Sequence, residues 1–261
     1  MRTITGKLVL GLLLLAASVA PAFPWGDAPT HPSIGAQIVQ LGIDPLLALE
    51  EKSAQFVRAT ACPDIANTQL FKSSGFGYVH TPKFAEYLRE LAGHNLAYQA
   101  TAFAWVAHLA ADTVAHEKYI PPLQEPLHSL VEVAVDTVIY YEGFTPLSAT
   151  LASLGFSRWE DTVLRGTDCS PMLVALASSQ YARDHQGTPA ISWVAVWWAT
   201  QSLAASINAE YGYIRLKHNA DTSELFLRSV GKEDFLRYWI ESVGEACTQI
   251  NNAPCFGWLP Q

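Results

Sequence analysis

A chain of 261 residues, half of them hydrophobic, can bury one large core or two small ones at most. Its formal net charge of −8 comes without any Lys/Arg cluster, which argues against high-affinity binding to nucleic acid, since that normally needs a basic face. The argument is weakened only if bound dications add local positive charge that a formal count misses.

Residues 1–22 read as a secretory signal. Arg2 and Lys7 give the positive end, LVLGLLLLAASVA the apolar run, and Ala20-Pro21-Ala22 a small-residue cleavage pattern. That run is short for a membrane span, and no later stretch escapes Pro, Gly or charge for long enough to make one. The expectation is a soluble exported protein, secreted or periplasmic, with a mature chain of residues 23–261. Export makes the four cysteines candidate disulfides. Cys247 and Cys255 bracket the short loop TQINNAP, and Cys62 with Cys169 would then close a large one. That is one of three connectivities, and no C-x-x-C pair favours thiolate ligation of a metal instead.

WGDAPTH, ending at His31, reads as a loop leading into a helix from about 33 to 41. Asp44 and Pro45 look like the cap and first turn of LLALEEKSAQFVRA. The stretch from Cys62 to Pro82 is irregular and turn-rich. Helical spacing resumes at 84–91, breaks at Gly93, and continues through the long apolar segment NLAYQATAFAWVAHLAADTVAH. A further helix is expected over 126–141, between a proline and Gly143. Later helical runs fall near 146–154, 171–183, 191–213, 223–230 and 232–247. WVAVWWATQSLAAS is apolar on nearly every face and reads as a buried helix. With no alternating strand run, repeat or charge block, the expected fold is all-α in one domain.

The central segment carries HLAADTVAH. His108, Asp112 and His116 recur every fourth residue, so each is turned only ~40° from the last on an α-helix. His128 and Glu132 repeat the spacing beyond a PPLQEP break. Imidazole and carboxylate in such registers suit a divalent metal, and we read a zinc site. Eight helical residues rise ~12 Å, too far for His108 and His116 to grip one ion through ~2 Å bonds. His108 and Asp112 can share an ion; His116 suits a second, with His128 and Glu132. His31, Asp64 and His80 are each unremarkable alone, as a loop histidine or a turn aspartate usually is.

Taken in order, WG…TH, PD, HTPKF, H-x3-D-x3-H and H-x3-E resemble the zinc-dependent phospholipase C family, to which the fungal single-strand nucleases are similar in fold and metal pattern. The resemblance spans about residues 25–141. It implies a mostly helical fold with up to three zinc ions at the base of a cleft. Asp64, His80, His108 and Asp112 would surround one ion, with Asp64 also activating the attacking water. His116, His128 and Glu132 would hold a second. His31 would bind a third, bridged by Asp112 and completed by the amino group and carbonyl of Trp25, provided the mature chain begins there. Cleavage after Ala22 would instead leave Phe23-Pro24 ahead of Trp25 and deny it a free amine. His94, His185 and His218 fall outside the pattern and read as structural. Asp136, one turn past Glu132, fits equally a support for a ligand or a plain helix polar.

The function implied is hydrolysis of a phosphodiester, first of all a phospholipid, with transient contact at a membrane surface. The competing expectations are a nuclease or nucleotidase using the same metals, and an exported zinc-binding protein without activity. Glu at the last position of H-x3-E favours the phospholipase pattern, since the nucleases typically carry Asp there.

Overall fold

The computed structural model describes residues 30–43, 46, 49–120, 127–142, 168–217 and 219–252; among these residues the regular elements are all helical and none is a strand. In chain order they are α1 (Thr30–Leu41), α2 (Ser53–Ala59), α3 (Gln69–Lys72), α4 (Pro82–Ala92), α5 (Leu96–Val114), α6 (Leu127–Glu142), α7 (Pro171–Asp184), α8 (Trp193–Lys217), α9 (Ala220–Ser229) and α10 (Phe235–Asn252). Short 3₁₀ turns cover Cys62–Asn67 and Gly77–His80 in the stretch expected to be irregular, and another covers Glu50–Lys52, within the run expected to be a helix. The signal segment, Trp25, the run near 146–154, His218 and Cys255 lie outside the described residues.

Helix α5 is the axis of the packing. Asn95 caps it by accepting from the backbone N–H groups of Ala97 and Tyr98 at 3.0 and 3.2 Å. Its many alanines keep the surface low, so neighbours approach closely; α10 lies against it most extensively, then α4 and α2. Gly93, at φ +52°, ends α4 and turns the chain into α5. Trp105 on α5 is fully buried against Phe84 and donates its indole N–H to the Val79 carbonyl at 2.8 Å. This bond holds the backbone one residue before His80. Truncating such a side chain costs ~3–5 kcal/mol. One continuous cluster of buried side chains runs from Ile34 on α1 to Ile250 on α10.

Cys62 and Cys169 form a disulfide with Cα atoms 5.5 Å apart, as the sequence suggested, tying the turn before Asp64 to the entrance of α7. Cys247, the expected partner of Cys255, is half-buried and has no disulfide among the described residues.

Three expectations need correction. His31 sits in the first turn of α1, which begins at Thr30, because Pro32 in the next position is compatible with a helix start and not with a helix interior. The helix carrying His108 does not run straight to His116. It leaves α geometry after Val114 for a π turn, Ala115–Tyr119, closed by a bond from the Ile120 N–H to the Ala115 carbonyl at 2.9 Å. WVAVWWATQSLAAS is helical but is not buried all round. Val196, Ala199, Leu203 and Ile207 face the core, while Trp193, Trp197 and Trp198 are 54%, 42% and 56% exposed. An all-apolar stretch carries no record of which face meets the core, so sequence alone could not separate them. No helix among the described residues is long and apolar enough to cross a membrane.

Candidate metal centre

Eight of the nine side chains singled out in the sequence converge at the meeting of α1, α5, α6 and the turns at Cys62–Asn67 and Gly77–His80; the ninth, Trp25, is outside the described residues. They form three groups whose candidate ligand atoms lie within 4.8 Å of one another: His31, His108 and Asp112; Asp64, His80 and His108; His116, His128 and Glu132.

Each donor is delivered by local structure. Asp64 follows Pro63 at the start of its 3₁₀ turn, where its Oδ1 accepts from the Asn67 amide at 2.7 Å. His80 closes its own turn immediately before Thr81, the N-cap of α4, whose hydroxyl accepts from the Phe84 N–H. Asp112 follows His108 by one turn of α5, so the two side chains project from one face. His31 approaches because α1 crosses close to α2: a Cβ built on Gly35 would stand 2.9 Å from the Thr60 side chain. The His31 ring consequently stacks on that of His108, centroids 3.9 Å apart. The Thr60 carbonyl in turn accepts from His108 Nδ1 at 2.7 Å. A proton on Nδ1 leaves Nε2 as the lone-pair nitrogen, aimed at the carboxylates.

The separations are those of ligands around an ion. Four donors at ~2.0–2.1 Å in tetrahedral array stand ~3.3 Å from one another. Asp112 Oδ2 is 3.0 Å from His80 Nε2 and 3.1 Å from His108 Nε2. Those two nitrogens are 2.9 Å apart. Asp64 completes the set from slightly farther off, 3.7 Å from His80 Nε2 and 3.6 Å from His108 Nε2. The other oxygen of Asp112 turns the opposite way. Its Oδ1 is 3.1 Å from His31 Nε2 and 3.9 Å from His116 Nε2. Neither Asp112 Oδ1 nor His31 Nε2 is in a hydrogen bond among the described residues, although both are buried and near each other. Two such atoms side by side and misaligned for a hydrogen bond are placed as co-ligands would be.

The second assembly belongs to α6 and the π turn. His128 Nε2 is 2.8 Å from Glu132 Oε1, and the rings of His116 and His128 stack with centroids 5.3 Å apart. His116 stands on the π turn that follows α5, with its ring against His128 of α6.

Four carboxylates are buried here: Asp64, Asp112 and Glu132, and Asp136 on the next turn of α6. Burial pushes the Glu132 carboxyl up to about 8 against a smaller opposing pull from His128. Burial alone would raise Asp112 too, but the imidazoles around it, His108 first and then His31 and His80, hold it well below the usual carboxylate range. Burial lowers His116, partly offset by Asp112, and so favours the neutral, ligating imidazole. Carboxylates gathered so closely out of water are expensive unless cations join them. With nitrogen and oxygen donors at these spacings, the three groups could hold metal ions.

His94 is exposed, and His185 stacks on Tyr181 at 4.1 Å and donates its Nδ1–H to the Tyr181 carbonyl; neither belongs to the three groups. Beyond the expected set, the structure adds Thr60 and Asn67, which orient His108 and Asp64. A backbone carbonyl 48 residues away and a turn amide leave no spacing signal that sequence reading could have found.

Compared with known proteins, the chain matches no family model, no curated protein and no solved structure.

Proposed function

We propose that this chain is a zinc-dependent phosphodiesterase of the phospholipase C type, cleaving phospholipid to diacylglycerol and a phosphorylated headgroup. One observation carries the reading: the two oxygens of Asp112 face different imidazole groups, His80 with His108 on one side and His31 with His116 on the other. A carboxylate placed in this way could serve two metal ions at once, and a pair of ions held there would suit displacement at phosphorus.

Zinc, when bound, acidifies water and offsets the negative charge of a phosphodiester as the leaving oxygen departs. The chain's own residues then have separable tasks. His108, locked through Nδ1 to Thr60, and Asp112 give rigid anchorage. Asp64 stands 0.5–0.7 Å farther from the imidazole nitrogens than Asp112 does, and the Asn67 amide fixes one of its oxygens. In this reading the Asp64 carboxylate orients a water and accepts its proton. His80, His116 and His128 are the partly exposed members, with side chains 27%, 38% and 27% accessible, so substrate reaches the groups from their side.

Support for a lipid over a nucleic acid comes from the net charge of −8 without a basic cluster and from Glu132 as the last donor. The disulfide and the leader-like start of the sequence fit export to an oxidising compartment. The test is to assay zinc-loaded protein on phosphatidylcholine vesicles and on single-stranded DNA in parallel. Diacylglycerol release is expected. Cleavage of DNA alone would replace the reading with a nuclease, and zinc uptake with neither activity would leave a binding protein.

A further inference from the structure

Asp136 lies outside all three donor groups, yet it is fully buried on α6 among Val135, Val138 and Ile139. One of its oxygens, Oδ1, accepts from the hydroxyl of Thr30, 106 residues away on α1. Thr30 is itself buried and immediately precedes His31. Its carbonyl is held as well, accepting from Ser33 Oγ at 2.6 Å, and Ser33 Oγ accepts in turn from the indole N–H of Trp239 at 2.7 Å. The residue before His31 is thus clamped on two sides, from α6 through Asp136 and from α10 through Trp239.

We infer that Asp136 is a positioning residue: through the Thr30 hydroxyl it sets where His31 stands against Asp112, and so governs the group formed by His31, His108 and Asp112. The inference rests on the metal-binding reading above. A neutral acceptor would satisfy a threonine hydroxyl at a smaller desolvation cost. A carboxylate grips more firmly, because a hydrogen bond to a charged acceptor is about twice as strong as a neutral one. His31 needs that grip. It stands in the first turn of a helix, where the backbone N–H groups have no intrahelical partners and ends fray. Among the described residues its Nε2 makes no hydrogen bond that would hold the ring in place. The ring is aligned by its stack on His108 and by the backbone that Thr30 anchors.

Zinc titration of chelator-treated protein tests this, comparing wild type with Thr30→Val, Thr30→Ser and Asp136→Asn. Imidazole nitrogen shifts of His31 and His128 report the two ends of the site. Thr30→Val keeps the shape and removes the donor. It should weaken the zinc equivalent seen by His31 by ~10–100-fold, the usual loss when a ligand's orienting partner is removed. The equivalent seen by His128 should stay unchanged, and Thr30→Ser should restore wild-type binding. Asp136→Asn, which keeps an acceptor of the same shape, should weaken the His31 equivalent in the same direction; it decides the matter should Thr30→Val not fold. Unchanged binding at His31 in the variants, or equal loss at both ends, would overturn the positioning role. A wild-type protein that takes up no zinc would overturn the metal centre itself, a result the wild-type titration alone reveals.

Discussion

Replacing Asp112 by Asn should cost the protein more metal than any other single change of a donor. Asn keeps the volume and one oxygen, but its amide nitrogen cannot ligate. Whichever way the amide turns, one side of the bridge loses its donor: either His80 and His108, at 3.0 and 3.1 Å from Oδ2, or His31, at 3.1 Å from Oδ1. Zinc held by a full protein donor set is worth ~10–16 kcal/mol of apparent binding free energy, so one donor in four carries ~2.5–4 kcal/mol, or about two to three decades of affinity. The remaining oxygen is neutral, so the ion it still touches should weaken as well. The expected result is loss of at least one equivalent of metal at micromolar free zinc. The rise in unfolding temperature that zinc gives the wild type should shrink with it, because ligand stabilisation follows RT ln(1 + [L]/Kd). Elemental analysis of undialysed protein, chelator competition and thermal unfolding with and without zinc measure these quantities. A variant that keeps the wild-type zinc content and the same zinc-induced shift would refute the bridging role.

Asp64→Asn should lower kcat by ~10²–10⁴-fold on a soluble phosphodiester while changing thermal unfolding little, the signature of a lost proton acceptor; wild-type turnover with a lowered Tm would reduce Asp64 to a turn residue. In metal-free protein the raised Glu132 carboxyl makes the folded state hold a proton that the unfolded state releases near 4.5, so its contribution to stability is lost as pH rises towards about 8. The lowered His116 works in the opposite sense below 6.5, which leaves 6.5 to 8 as the window where the Glu132 slope, at most ~1.4 kcal/mol per pH unit, is seen most cleanly. Glu132→Gln should abolish that slope and zinc should reverse it; urea unfolding across the window that shows no Glu132-dependent slope would contradict the burial argument. Cys62→Ser with Cys169→Ser opens a loop of 107 residues and should cost ~2–5 kcal/mol in denaturant unfolding; an unchanged midpoint would mean the bond adds nothing to stability.

The parts of this molecule visible in its sequence are those written in local repeats. The four-residue spacing of His108 with Asp112 and of His128 with Glu132 requires only a helix, and both pairs occur on helices as expected. His116 shows where that logic stops. Its spacing from Asp112 looks identical, but the helix changes type between them. Tyr119, fully buried with its hydroxyl on the Lys232 carbonyl, ties the end of that turn to a residue 113 positions away, a constraint no local window contains. The sequence pattern starts this helix near 33, leaving His31 outside, whereas α1 begins at Thr30, a shift of boundary that a proline near a helix start invites. The exposed tryptophans of α8 and the clamp on Thr30 depend on which elements become neighbours, and hydrophobic patterning records burial without naming the partner.

The disulfide has a consequence for how the donors are gathered in the first place. Asp64, His80, His108, Asp112, His116, His128 and Glu132 all lie between Cys62 and Cys169, so the oxidised chain carries seven of its eight donors on one covalent ring. Even an unfolded chain keeps ring members at an effective concentration that an open chain of the same length does not reach. If metal binds, an oxidised chain would offer seven candidate donors already linked in one ring, whereas a reduced chain would have to gather the same donors from an open coil. His31 lies outside the ring and can join only when α1 docks.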